Sequence, residues 1–366
     1  MKNKKVFKSF LILLLSLAIL SLIFCTKNKP TQYVPKIYRL FVHNGVPAIY
    51  GGGIYTVDTN DDTFADTIHL DYPGWIAVSP DGASLHMARL EGDTINGESD
   101  YYYIYYEFDT QSKSIKYKGP HGGITITPNG KYLFHGMNIV DSKTHQLVHS
   151  DTIQAVAAIP VFDRNAPLVY VGLSKRGMIG VFNYDTFTWV RFFEIILKIS
   201  QTPRFLYLLV SPDGKTLFFV AQIPVSIHGI FGAYDLINDS LLVEFVVNSD
   251  LASLAVTRDG KYVYISDPGS YSSLVNPSTG NIEILDTETN SFLPPIRTDS
   301  IETPDWAVSY IDKIVIHPTQ DKAYVSTWAC PVILVIDTKN NTIADTIMFS
   351  TPPGVSVGML AIQTKP

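Results

Sequence analysis

The chain has 366 residues, 46% hydrophobic and 17% charged, with 24 Gly, 22 Pro and 21 Tyr, a composition that excludes a disordered or fibrous protein and leans toward strands joined by turns. Leaving out residues 1–24, which hold four Lys and no acid, 24 basic residues face 34 acidic ones, a formal −10. So acidic a body lacks the bulk attraction that phosphate backbones require, and a nucleic-acid partner is not expected.

Residues 1–24 have the pattern of a targeting segment. Lys2, Lys4, Lys5 and Lys8 precede an apolar run from Phe10 to Phe24 that only Ser16 and Ser21 interrupt. A run of about 15 residues is shorter than the roughly 20 of a comfortable spanning helix, so a signal peptide is the reading and an uncleaved anchor its alternative. Leu22-Ile-Phe-Cys25 resembles a bacterial lipobox, which implies lipidation of Cys25. The family prefers a small residue where this chain has Phe24, and the uncleaved anchor stays open on that account. Either form places the folded part in the cell envelope, outside the cytoplasmic membrane and tethered to it, facing the periplasm or the cell exterior. Residues 25–37 are polar and carry Pro30 and Pro35, which suits an extended tether. The second cysteine, Cys330, has no partner if Cys25 is acylated, so no structural disulfide is expected.

From Tyr38 a sentence repeats. An apolar strand runs into a Pro- and Gly-containing turn and a second strand leaves it, as in Leu206 to Ala221 around Ser211-Pro-Asp-Gly214. Proline presets the backbone at the first central position and glycine supplies the left-handed conformation that closes the hairpin. The marker recurs at Ser79-Pro-Asp-Gly82, Thr127-Pro-Asn-Gly130, Thr257-Arg-Asp-Gly260 and His317-Pro-Thr-Gln320, with Phe162-Asp-Arg-Asn165 a degenerate copy. A second marker is an Asp closing a strand at a turn: Asp58, Asp109, Asp141, Asp185, Asp235, Asp286 and Asp337. Such a carboxylate accepts backbone N–H groups two or so residues on, so these acids are expected to be structural rather than catalytic.

Seven acid-marked turns against six hairpin markers leave one unit incomplete. Gly358-Met-Leu-Ala-Ile-Gln-Thr364 supplies an inner strand and Arg39 to Leu70 the other three, so the termini share one sheet. Sharing closes a ring of stacked sheets that would otherwise end in two bare faces. Marker spacings of about 35 to about 60 residues fit one four-stranded unit each. The expectation is an all-β ring of seven antiparallel sheets, spanning residues 38–366 as a single domain.

The second strands, among them Phe41-Val-His-Asn44, Tyr170-Val-Gly172, Phe219-Val-Ala221, Tyr264-Ile-Ser-Asp267 and Tyr324-Val-Ser-Thr327, resemble the repeat of the YVTN-family β-propellers. So do the Val335-Ile-Asp-Thr338 type of strand and the apolar-Ser-Pro-Asp-Gly turn. The resemblance implies a seven-bladed, WD40-like β-propeller from Arg39 to Thr364. It leaves activity open, because such propellers include YncE-like periplasmic proteins, surface-layer proteins and quinoprotein dehydrogenase subunits, with lactonases in neighbouring families. Some YncE-like members imply single-stranded DNA binding, which the −10 balance opposes.

If both turn markers lie on one face of the ring, binding belongs to the longer loops of the other. Those loops carry the candidate ligand face: Asp71, Tyr72, Trp75, His121, His228, Asp305, Trp306 and Trp328, with Leu90 to Tyr103 a further long loop. The competing reading packs the tryptophans between blades and leaves the polar residues in water. No His pair stands at ligand spacing, and His121, His135 and His228 would have to meet in space to bind a metal. No nucleophile elbow or phosphate-cradling loop appears, Gly51-Gly-Gly53 reads as a plain loop, and Cys330 as a buried thiol. The expectation is therefore a non-catalytic, tethered propeller that binds a protein, glycan or small ligand, without metal or cofactor. The alternative is a propeller enzyme or electron-transfer subunit with its site at the channel mouth.

Overall fold

The computed structural model describes residues 38–44, 53–70, 74–95, 98–151, 160–173, 177–197, 204–222, 229–247, 253–267, 280–298, 310–328, 331–349 and 357–364. The targeting and tether segments lie outside them. Strands β1 (Arg39–Asn44), β2 (Gly53–Asp58) and β3 (Thr63–His69) pair in sequence. The next sheet holds β4 (Trp75–Val78), β5 (Ser84–Ile95), β6 (Glu98–Asp109) and β7 (Ile115–Gly119), the third β8 (Thr125–Ile126), β9 (Tyr132–His135), β10 (Asn138–Asp141) and β11 (Leu147–Ser150). β12 (Val161–Phe162), β13 (Leu168–Leu173), β14 (Met178–Asn183) and β15 (Thr188–Glu194) form the fourth, β16 (Arg204–Val210), β17 (Thr216–Gln222), β18 (Gly229–Asp235) and β19 (Ser240–Val247) the fifth. The sixth holds β20 (Ser253–Val256), β21 (Tyr262–Asp267), β22 (Asn281–Asp286) and β23 (Ser291–Arg297), the seventh β24 (Tyr310–Ile316), β25 (Lys322–Trp328), β26 (Val332–Asp337) and β27 (Thr342–Met348).

The last strand, β28 (Val357–Ile362), does not begin an eighth sheet. It pairs antiparallel with β1, Ile362 opposite Leu40 and Leu360 opposite Val42, and completes the first blade. Inner strands β28 and β24 then lie side by side, as do β28 and β4. The protein is a seven-bladed β-propeller of four antiparallel strands per blade, closed by both ends of the chain.

Burial follows position in the blade. Central strands such as β2, β17 and β26 are buried along nearly their whole length, which is why they read as largely apolar runs. Outer strands such as β3 and β27 are mostly exposed, with one deeply buried residue, Ile68 and Ile347.

Both turn markers lie on one face, and hydrogen bonds join them. The hydroxyls of Thr59, Thr110, Ser142 and Thr287 donate to carbonyls of Tyr38, Gly82, Gly130 and Gly260, at 2.8, 2.6, 2.6 and 2.7 Å. Within the hairpin turns Ser79, Thr127, Ser211 and Thr257 each donate to the side chain two residues on, and the glycines at 82, 130, 214 and 260 hold φ of 71–77°. In the fourth blade the capping residue is Asn183, not Asp185: its Oδ1 accepts from the backbone N–H of Asp185 and Thr186. An amide oxygen caps as a carboxylate does, so the repeat is kept with the acid displaced by two.

The same turns fasten blade to blade. Four residues after each capping side chain one residue adopts positive φ: Asp62, Lys113, His145, Phe187, Asp239, Asn290 and Asn341. Asp, Asn and His are enriched in this region, whereas Lys and Phe enter it at a cost. Contacts with the preceding blade offset it. Lys113 reaches Asp66, His145 stacks on Tyr117 at 3.7 Å and meets Glu107 at 2.9 Å, and Phe187 packs on Tyr132 and His149. Asp239 receives Arg191 at 2.6 Å, Asn341 the Tyr264 hydroxyl at 2.5 Å, and Asp62 both Lys322 and the Tyr324 hydroxyl.

Candidate functional site

The inner strands enclose a central cavity of about 280 Å³. Its wall comes from β4, β8, β12, β24 and β28: Ile76, Val78, Ile126, Val161, Phe162, Met359 and Ile362 supply apolar surface, and Trp75 stands at the start of β4. Lys313 is the one charged residue among the described residues that line it. Thr125 Oγ1, also in the wall, is buried without a hydrogen-bond partner among the described residues.

Local distortions of the inner strands set this chemistry. In β24 the register shifts between Ile311 and Ile314, so Asp312 and Lys313 together oppose Ser326. Such a bulge re-aims side chains and frees backbone groups that need new partners. Ser326 Oγ accepts the Lys313 N–H at 3.0 Å, and Ser253 Oγ, from the neighbouring inner strand, accepts that of Ile314 at 3.3 Å. Both serines are fully buried. β28 carries a matching shift opposite His43, and β16 one around Leu206, beside Tyr207.

The bulges bring ionisable groups inward. Lys313 Nζ stands 5.5 Å from the centre of the Tyr207 ring. Burial pulls the Lys313 amine below its usual value, and the nearby Asp312 carboxylate only partly opposes this. Burial pushes the Asp312 carboxyl up, and it raises the Tyr207 phenol too, with Asp312 adding to the effect. Asp312 faces Gly358 in β28, where an added Cβ would lie 3.4 Å from His43 Nδ1 and 4.0 Å from Asp312 Oδ2. No carboxylate approaches Lys313 Nζ within 4 Å among the described residues.

Of the residues expected from sequence, Trp75 lies in the cavity wall, 39% exposed. His121 is exposed between β7 and β8 and is not among the lining residues. Trp328 ends β25 opposite Tyr310. Asp71, Tyr72, His228, Asp305 and Trp306 lie outside the described residues, as do Cys25 and Cys330. His135 joins an aromatic group: Nδ1 is 2.5 Å from the Tyr105 hydroxyl, and burial lowers its pKa. Among the described residues no three His, Cys, Asp or Glu gather as a metal site. The span from Leu90 to Tyr103 is not an open loop: β5 and β6 run on as a long hairpin as far as Ile95 and Glu98.

Sequence reasoning passed over Asp312, Lys313 and Tyr207. The signal was present. Ile311-Asp312-Lys313-Ile314 sets two charges inside an inner strand whose counterparts, Ile76-Ala77-Val78 and Leu254-Ala255-Val256, are apolar.

A second polar cluster sits between the second and third blades. Glu107 accepts the Ser84 hydroxyl at 2.5 Å, meets His145 and has Lys116 within 3.9 Å. Ser84 donates to a carboxylate that also meets His145 of the next blade and Lys116, so the cluster joins blades.

No family model matches the chain, and no curated protein sequence does. Among solved structures it is similar to the periplasmic gluconolactonase PpgL of Pseudomonas aeruginosa, at 14% identity and a TM-score of 0.57, over 90% of this chain and 100% of that one. It is similar to apo AztD of Citrobacter koseri at 11% identity and a TM-score of 0.56, over 90% and 98%. A putative 6-phosphogluconolactonase of Bacteroides uniformis matches at 17% identity and a TM-score of 0.55, over 88% and 99%. At these identities the likeness shows a shared fold, the β-propeller.

Proposed function

We propose that this protein is an exported, membrane-tethered propeller that binds a small ligand in its central channel and carries out no chemistry on it. The observation that carries this reading is the cavity. It is apolar, built from five inner strands, and provided with one lysine that a buried bulge positions. Concave apolar space with a few fixed polar groups is the general form of a small-molecule site, and 280 Å³ falls near the lower end of the usual ~300–1,000 Å³. The tether rests on Lys2 to Phe24 and Cys25, and the similar fold of PpgL, a periplasmic protein, agrees with export. Screening a small-molecule library against the purified protein by thermal shift tests the binding; fractionating cells that carry the protein or Cys25→Ser tests the tether. Release of the Cys25→Ser protein from the membrane supports lipidation, and steady turnover of any hit overturns the non-catalytic reading.

A second reading, hydrolysis of a lactone, draws on Asp312, Lys313 and Tyr207, whose shifted ionisation is the mark of many catalytic sites. Two of the similar folds carry lactonase names. Lactone opening that disappears in both Asp312→Asn and Lys313→Met proteins would establish it.

A further inference from the structure

We infer that the channel takes a small organic monoanion, its carboxylate on Lys313 Nζ and its apolar body against Trp75, Val161, Phe162 and Met359. This rests on the channel being the binding site and names the class of ligand.

Lys313 is a half-buried cation that Asp312 compensates only in part. A charge inside a protein is costly unless it is paired, and buried lysines as a rule have a counter-ion. Among the described residues Lys313 has none within 4 Å, and the acid beside it in sequence is turned toward Gly358 and His43. Its charge is therefore directed at the cavity with its partner still to come. The bulge that holds it there is supported by two buried serines, so the position is built into the strand pairing. Burial draws the amine toward its neutral form, and an anion seated on it would favour the charged one.

The rest of the wall limits what the anion can be. Apart from Lys313, the side chains able to form hydrogen bonds among the described lining residues are Thr125 and Trp75. A polyhydroxylated sugar would bury most of its hydroxyls against Ile, Val, Met and Phe without partners, at a cost for each. A dianion would leave one charge uncompensated, and a cation would meet Lys313. One acidic group on a compact apolar body suits both Lys313 and the apolar lining.

The test is calorimetric titration of benzoate and hexanoate, and of their neutral isosteres benzamide and hexanamide, into the purified full chain and its Lys313→Met form. A hydrogen bond to a charged group is worth about tenfold to a hundredfold in affinity. The wild-type protein should hold each carboxylate at least tenfold more tightly than its amide. Lys313→Met should erase that preference and bind the amides as before, and Lys339→Met, at an exposed turn, should change nothing. Should Lys313→Met fail to fold, the wild-type preference and its retention in Lys313→Arg decide the matter. Equal affinity for acid and amide, or a preference that survives Lys313→Met, overturns the inference while leaving channel binding intact. No binding of any of the four probes overturns both.

Discussion

Mild acid should weaken this fold through two buried, neutral histidines. His317 is fully buried, and its ring is wired as a neutral imidazole. Nδ1 accepts the backbone N–H of Thr319 at 3.2 Å and of Gln320 at 2.9 Å. Nε2 lies 3.0 Å from Thr59 Oγ1, which itself donates to the Tyr38 carbonyl, so Nε2 is the protonated nitrogen. A second proton would have to enter at Nδ1, against two N–H groups. Burial, with Lys322 adding to it, lowers the His317 pKa from 6.5 to about 4. Burial lowers His86 to about 4 as well, against the partial pull of Glu107. The unfolded chain therefore binds these protons near pH 6.5 and the folded chain only near pH 4. Between those values the unfolded state holds more protons, and stability falls as pH falls. For a shift from 6.5 to about 4, going from pH 7.5 to 5.0 costs about 2 kcal/mol per histidine. The turn carboxylates of Asp81, Asp109 and Asp213 are held below their ordinary value and lose their contribution only at lower pH, outside this window. Urea unfolding at both pH values reads the difference. With a slope of about 3 kcal/mol per M, each histidine accounts for roughly 0.7 M in midpoint. In His317→Asn the amide oxygen can take the place of Nδ1 without titrating, so the acid-induced shift should shrink by that amount. A variant that loses as much midpoint on acidification as the parent would refute the assignment of His317 as a neutral imidazole.

Three further outcomes follow from the packing. Tyr324→Phe removes the hydroxyl that donates to Asp62 at 2.6 Å between the seventh blade and the first, and should cost about 1–3 kcal/mol in urea unfolding. Gly82→Ala and Gly260→Ala both force alanine into positive φ, at about 1 kcal/mol or more. The former should cost more, because its Cβ would sit 2.4 Å from Gln363 Oε1, at the closing strand, whereas the nearest atom to the latter is 3.6 Å away. Ending the chain at residue 356 removes β28 and bares the edge of β1 with Leu40 and Val42 beneath it; size-exclusion chromatography should then show aggregate in place of monomer, and an intact monomer would count against terminal closure.

What the sequence determined by itself was the repeat. Hairpin markers and capping acids act over a few residues, through proline, glycine and side chains that bond their own backbone, and local chemistry can be read in order. Counting them led to seven blades and to the pairing of residues near 40 with residues near 360. Even the misplaced cap at Asp185 belonged to a turn that forms, with Asn183 in the role.

Tertiary structure alone decided how the blades meet and what faces the cavity. That Lys113 and Phe187 can hold a strained backbone depends on contacts with the neighbouring blade, more than thirty residues away in both cases. Whether Lys313 meets solvent or a cavity depends on a bulge held by Ser326 and Ser253, and on five strands converging from distant parts of the chain. A charge in an inner strand was visible in the sequence. Its surroundings were not, because only the closed ring brings β4, β8, β12 and β28 around it.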